Sequence, residues 1–427
     1  MANSTLNRTF GTPTHADKWT WSAWIKRSKL SSSGVYMDVF AGYTDGNNYA
    51  QLSFHPDNYF FYYDYQGGAT KASLATNKVF RDTSAWYHIV VATDTTQGTA
   101  ADRVKLYING EQYTWDRTTT YPNQNQDTMI NKASTPHYIG QVGVGNFFDG
   151  YMSHVAFVDG QQLAPTVFGG TDSTSGIWKF KSPSGVTWGT NGVHLKFENS
   201  GAMGTDSSGN SNTYTVGGNL KQALDTPSNV HATLNTLHRL DDYTLTEGNN
   251  TFTNSSTGHR MTNSTLAVNT GKWYAEVKVI AQDGSATYPQ IGIIDPEKFV
   301  FNSYVGNNSR GYGYLSNGNK QYNGSATSFG NTYTVGDIIG IAMDLTNNKI
   351  YFSKNGTFQA SGNPASGATG TGSAYTIASG VYYTFAQSSY DGSQNPVYSW
   401  NFGNGFFGTT AITSAGSNGN GSLFEYD

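Results

Sequence analysis

The chain contains no cysteine, so no disulfide frames its fold and no thiolate serves as nucleophile or metal ligand. Small secreted sandwiches often carry disulfides, which points this chain to folding in a reducing cytosol. Charge is sparse as well: Lys, Arg, Asp and Glu make up 13% of 427 residues, and the net charge is −4. A phosphate backbone needs a clustered basic face. The densest basic run here, Lys26-Arg27-Ser28-Lys29, reads as a solvated strand end, so nucleic acid is not an expected partner. Also missing are an apolar run long enough to span a membrane and, in the first nine residues, the apolar core of a signal peptide. Membrane insertion is therefore not expected.

What the chain has in abundance is turn-formers and rings, with 50 Gly and 29 Tyr. Long amphipathic helical patterns are absent, so the composition is that of short strands joined by Gly/Asn turns. Domains commonly run roughly 100–200 residues, so this length predicts two or three of them. The clearest local pattern lies within residues 336–356. Ile339, Ile341, Met343 and Leu345 fall at every second position and share one face of a strand. Asn347-Asn348 supplies a tight reversal, because Asn tolerates positive φ better than most residues. Ile350 and Phe352 return on a second strand, which Asn355-Gly356 ends.

The N-terminal region repeats this phrase. Trp86, His88, Val90 and Ala92 alternate with Tyr87, Ile89, Val91 and Thr93, and Val104, Leu106 and Ile108 follow, closed by Asn109-Gly110. Around them lie Trp19, Trp21 and Trp24 before and the run Phe148 to Phe157 after. Over residues 6–170 these elements resemble a laminin-G-like, concanavalin-type jelly roll. That resemblance implies two packed antiparallel sheets with a concave, often sugar-facing side. Lys272-Trp273-Tyr274, Ile291-Gly292-Ile293, Gly311-Tyr312-Gly313-Tyr314, the hairpin above, Tyr382 to Phe385 and Trp400-Asn401-Phe402-Gly403 resemble a SPRY domain over residues 241–407. The expected architecture is all-β: two consecutive antiparallel sandwiches joined by a Gly/Ser/Asn-rich connector, residues 171–240. Residues 408–427 form a Gly/Asn-rich tail. Val193, Leu195 and Phe197 alternate, so the connector is expected to hold a strand that completes the first sandwich or docks between the two. A structureless stretch of that length would be unusual.

Chemistry finds little support. Sandwich glucanases place carboxylates at alternating positions of one strand, with the pair about 5–5.5 Å or 6.5–9.5 Å apart. Here Glu111, Glu198, Glu247, Glu276, Glu297 and Glu425 are scattered one per segment; Asp102, Asp116 and Asp149 could converge in space, but no sequence pattern predicts it. No Gly-x-Ser-x-Gly elbow is present, and the nine histidines lack metal-ligand spacing. His88 and His154 read as packed or hydrogen-bonded. Asp206-Ser207-Ser208-Gly209-Asn210 could offer oxygens to calcium but reads first as an Asx turn. No catalytic residue, metal or cofactor is expected.

Ligand candidates come from two places. In Tyr59 to Tyr65 alternation cannot bury every ring, so Tyr62, Tyr63 and Tyr65 are candidates for sugar stacking or a subunit interface, against a bland reading as core and ordinary surface. In the SPRY-like region, loop position implies Tyr288, Tyr304, Arg310, Tyr390 and Asp391. The order of jelly roll, connector and SPRY module resembles virion proteins of marine bacteriophages. A composition without an export signal fits a virus particle released by lysis. The resemblance implies a non-enzymatic surface protein of the virion, a head or tail appendage that binds a host-surface glycan or receptor. Virion neighbours are its expected partners, and a homo-oligomer, a trimer by preference, is its expected state. A structural decoration or fibre subunit is the alternative, and a polysaccharide-degrading enzyme the third reading. Such relatives continue past a segment similar to Phe424-Glu425-Tyr426-Asp427, which leaves open that this chain is trimmed there.

Overall fold

The computed structural model describes residues 4–31, 34–143, 145–238, 242–282, 289–391, 395–413 and 421–426. The chain divides into two compact units, residues 1–222 with 226–228, and 223–225 with 229–427. No described helix is long and apolar enough to cross a membrane.

Among the described residues, the first unit is two facing antiparallel sheets. One runs in the order Thr118–Thr120, Ala69–Val79, Tyr59–Gln66, Asn48–Phe54, Met37–Asp45, Pro136–Ile139, Thr5–Thr9, Thr215–Gly217. The other runs Val193–Leu195, Gly150–Asp159, Lys18–Arg27, Trp86–Asp94, Val104–Ile108, Glu111–Tyr113. Period two decides what lies between them. Trp19, Trp21, Ala23 and Ile25 point inward and meet Phe40, Leu52, Phe54, Phe60, Ile89 and Leu106. Burying one Leu, Ile or Phe is worth about 1.5–3 kcal/mol, whereas an exposed ion pair adds roughly 0–1 kcal/mol. The core, not the sparse charge, therefore holds this sandwich. Asn109 and Gly110 both take positive φ, 50° and 86°, the backbone of a tight type I′ reversal.

The connector is not a free linker. Val193–Leu195 pairs with Gly150–Asp159 through Val155↔Leu195, and Thr215–Gly217 pairs with Thr5–Thr9. Ahead of both in the chain, Gly169–Thr171 and Trp178–Phe180 form a hairpin on the outer face of the smaller sheet. A Cβ at Gly110 or Gly169 would meet the Trp178 ring at 2.5 Å, so only glycine lets that ring lie flat there. Phe168, Val90, Ala156 and Val158 make a second small core under this cover.

The basic run departs from its reading as a solvated strand end. Lys26 and Arg27 are both buried. Arg27 donates from Nη1 to the Phe80 carbonyl at 2.6 Å and from Nη2 to Ser31 Oγ at 2.9 Å, and it lies 4.5 Å over the Phe54 ring. Burial lowers its pKa to about 10. A guanidinium on a flat ring keeps donors to spare for backbone acceptors, which is why this cation tolerates the interior.

Among the described residues, the second unit is again built on two large antiparallel sheets, with a short pair Phe406–Phe407 and Thr410–Ala411 besides. The larger runs Tyr243–Thr246, Thr251–Asn254, Val397–Asn401, Lys272–Ala281, Ile338–Asp344, Lys349–Lys354, Thr357–Phe358, with Tyr375–Thr376 added beside Lys349–Lys354. The smaller runs Gly258–Asn263, Thr384–Asp391, Gln290–Ile294, Gly311–Leu315, Asn319–Tyr322, Ser325–Ser328. The expected hairpin is present, with Met343 opposite Ile350 and Ile341 opposite Phe352, all four buried. Asn348 and Asn355 hold positive φ at its turns. Ala275, Val277 and Val279 of the neighbouring strand share the core with Tyr398 and Trp400.

Candidate ligand-binding surfaces

Strict alternation along Tyr59–Gln66 divides its rings between two faces. Phe60 and Tyr62 enter the core, whereas Tyr59, Phe61, Tyr63 and Tyr65 face outward and are half-buried. Tyr62 therefore drops out of the expected ligand set. It is 0% exposed, packs edge-on to Trp19 at 5.9 Å, and donates its hydroxyl to Asp64 Oδ2 at 3.0 Å. Asp64 also accepts from the Met129 amide and Gln66 Nε2, yet burial still pushes its carboxyl up to about 6. Tyr63 and Tyr65 remain on the outer face.

There they meet Tyr49, which the neighbouring strand presents on the same side. Tyr49 lies 5.8 Å from Tyr63 and 5.6 Å from Tyr65, and those two stack at 6.0 Å and 16°. Tyr36, Tyr43, Tyr49, Phe61 and Tyr63 line a groove of about 390 Å³ on this face. Gly46, Gln51, Val142 and Asn146 complete its wall, so among the described residues no Lys, Arg, Asp or Glu lines it. Burial and the neighbouring phenols raise the pKa of Tyr49 and keep it neutral.

Beneath the groove lies Asp38, paired in the ladder with Ser53 and fully buried. Its carboxyl accepts from Ser53 Oγ and from the Asn146 side chain, and its amide donates to the Asn146 carbonyl at 3.0 Å. Burial holds that carboxyl well above the usual range. Asp38 thus ties Asn146, a wall residue, to the sheet. At one end of the aromatic row Tyr59 is already engaged: His55 stacks on it at 4.2 Å and Arg117 lies 4.1 Å from its centre, ion-paired with Asp57 at 3.6 Å. Periodicity made the Tyr59–Tyr65 rings visible in the sequence. The contributions of Tyr36, Tyr43, Tyr49 and Asn146 depend on strand order and register, which no local pattern carries.

In the second unit the expected rim residues divide. Tyr304 and Tyr390 come together on His259, with ring centres 5.0 and 5.3 Å from it. His259 was not anticipated, since it reaches this place only because it pairs with Tyr390 across the sheet. Arg310 lies elsewhere. Its carbonyl accepts from the Asp295 amide and its side chain is beside Tyr312 and Tyr383, at the end of the sheet where Thr384 pairs with Ile294. Tyr390 stands six residues further along that strand, roughly 20 Å away. Tyr288 and the side chain of Asp391 lie outside the described residues.

The histidines and acids that invited chemical readings are otherwise engaged. Trp178 Nε1 can only donate, and it donates to His88 Nδ1 at 2.9 Å. The ring proton therefore sits on Nε2, which donates to Ser22 Oγ at 2.9 Å. In that tautomer His88 cannot take a proton from Ser22, and burial lowers its pKa to about 3. Asp102 pairs with Lys105, while Asp116 accepts from the Asn77 amide and the Tyr113 hydroxyl. Both Asp206 oxygens are taken by protein donors, namely the amides of His194, Ser208 and Asn212 and the Ser208 hydroxyl.

Residues 4–167 match the family model described as the concanavalin A-like lectin/glucanases superfamily, and residues 272–384 match that of the SPRY domain. A concanavalin-like domain thus precedes a SPRY domain in this chain. Among curated proteins the chain is similar to the Ran-binding proteins 9/10 homolog of Drosophila melanogaster, 32% identical over 88 residues, 20% of this chain and 9% of that protein. It is similar to human Ran-binding protein 9 at 33% over 88 residues, 20% of this chain and 12% of that one. The chain therefore spans only a small part of the length of these relatives. Among solved structures it is similar to the SPRY domain of human HERC1, 17% identical with a TM-score of 0.30, over 37% of this chain and 91% of that one.

Proposed function

We propose that this chain is a non-enzymatic surface protein of a bacteriophage virion, a head or tail appendage whose first domain holds a host-surface glycan. The observation that carries this reading is the aromatic groove on the outer sheet face. Tyr43, Tyr49 and Tyr63 line it from strands whose opposite faces already supply the core, and Tyr36 joins them from the residue just before Met37–Asp45. Rings with amide side chains between them are what sugar stacking and hydroxyl hydrogen bonding require. The concanavalin-like and SPRY pair, both used widely for binding, supports a binding role. A shallow sugar site binds at ~mM, near −4 kcal/mol. Linked copies can raise that by roughly 10²–10⁴, so the protein acts as a homo-oligomer, by preference a trimer.

The test is binding of the fluorescently labelled protein to intact bacterial cells, with extracted surface polysaccharide as competitor and light scattering for the oligomeric state. Saturable binding that the polysaccharide blocks is the expected result. A monomer that binds no cell would move the reading to a structural decoration or fibre subunit. The cluster of Tyr304, His259 and Tyr390 favours that second reading, since it offers a compact aromatic contact to a neighbouring virion protein.

A further inference from the structure

We infer that the groove takes an uncharged polysaccharide, stacked on Tyr49, Tyr63 and Tyr65 and held by hydroxyl hydrogen bonds to Gln51 and Asn146, and that it rejects acidic chains. This inference rests on the glycan reading above and narrows it. The first ground is the wall itself, which contains phenols, amides, Phe61 and Val142 but no cation. An anion desolvated in such a place keeps no partner, and a buried charge without one is strongly unfavourable. Neutral hydroxyls face no such cost, because Gln51 and Asn146 each supply a donor and an acceptor.

The second ground is what lies around the wall. Arg117 is committed to Tyr59 and Asp57 at the end of the row. Lys71, on the adjoining strand two residues before Ser73, the partner of Tyr63, is not part of the wall. Beneath the floor, Asp38 adds no positive charge in either protonation state and repels an anion when ionised. The other titratable groups on this side include the phenols of Tyr36, Tyr43, Tyr49, Tyr59, Tyr63 and Tyr65 and the imidazole of His55, whose pKa burial lowers. Among the described residues, the wall of the groove itself thus carries no positive charge at neutral pH.

The third ground is extent. From Phe61 to Tyr65 the outward rings span roughly 13 Å of strand, and Tyr36 lies against Phe61 at 5.6 Å to extend the row. An open row of this kind fits a run of sugars better than a single residue at a chain end.

The experiment is affinity electrophoresis of the full-length protein in gels holding a neutral glucan, galactan or arabinan, or alginate, or a sulfated galactan, at low salt and at about 0.5 M salt, where the Debye length falls below ~5 Å. The expected result is retardation by at least one neutral polymer, indifferent to salt, weakened at least tenfold by Tyr63→Ala and unchanged by Lys71→Ala. Gln51→Ala is the second variant should Tyr63→Ala fail to fold, with the same loss expected. Retardation by the acidic polymers alone, abolished by salt and by Lys71→Ala, overturns this inference while leaving a glycan-binding protein. Retardation by none of them overturns both.

Discussion

Tyr62 and Tyr63 are neighbours in sequence and opposites in consequence. Tyr62 sits in the core against Trp19, with its hydroxyl on a buried carboxyl. Tyr63 lies on the outer face beside Tyr49 and Tyr65, its hydroxyl 2.9 Å from that of Thr70. Tyr62→Ala opens a cavity and takes one of three hydrogen-bond donors from Asp64, so it should cost about 3–5 kcal/mol and lower the melting temperature by roughly 10 °C. Tyr63→Ala removes a half-buried ring and should shift that temperature by no more than about 2 °C, while weakening polysaccharide retardation at least about tenfold. Thermal scans of both variants beside the binding assay check the contrast. Equal destabilisation by the two would place both rings in the core. Alternation in the sequence already showed that the two rings take opposite faces, but the side facing the core depends on which sheet packs above. Arg27 teaches the same limit. Its charge marked it for solvent, and only the fold brings Phe80, Ser31 and Phe54 around it.

At the scale of elements, short-range patterns were legible and long-range partners were not. The hairpin Ile338–Asp344 with Lys349–Lys354 follows from apolar alternation and an Asn turn, all within one stretch of chain. Nothing local foretells that residues 421–426 lie on the second unit, where Phe424 packs edge-on to Tyr274 at 4.9 Å. Glu276 is the anchor. Its carboxylate accepts the amides of Glu425 at 2.9 Å and Tyr426 at 2.7 Å, with Asn401 Nδ2 at 3.3 Å. Burial outweighs these donors and pushes the carboxyl up to about 7, against 4.5 unperturbed. The folded state therefore binds this proton more tightly than the unfolded one. Stability from Glu276 is fully present below about pH 4.5 and is lost as pH rises through about 7. Asp64 acts in the same direction, and the buried His88 and His137, held neutral, act in the opposite one. The single-site term must therefore be isolated by difference. Urea midpoints measured from pH 5 to pH 8 should fall more steeply for the natural protein than for Glu276→Gln, and hydrogen exchange in residues 421–426 should speed up over the same window beyond its intrinsic rate. Parallel pH profiles for the two proteins would remove Glu276 as the titrating group.

For the whole molecule, the order of two sandwiches could be read from the sequence because each repeats its own strand–turn rhythm. The allegiance of the connector could not, because Trp178 finds its place only through glycines at 110 and 169, one of them far away in sequence. Each unit has a core of its own, one built on Trp19, Trp21 and Phe54 and the other on Ile339, Phe352 and Trp400. A core of this size is what independent folding requires. Residues 1–228 and residues 223–427, produced separately, should each melt cooperatively. Glycan binding should travel with the first fragment alone, because every residue of the groove lies between positions 36 and 146. Linkage into an oligomer multiplies a weak site without changing its chemistry, so the isolated fragment should prefer the same neutral polymer as the full chain, at lower affinity. Binding that follows residues 223–427 instead would move the ligand to the cluster of Tyr304, His259 and Tyr390, leaving the aromatic groove of the first sandwich to a protein neighbour.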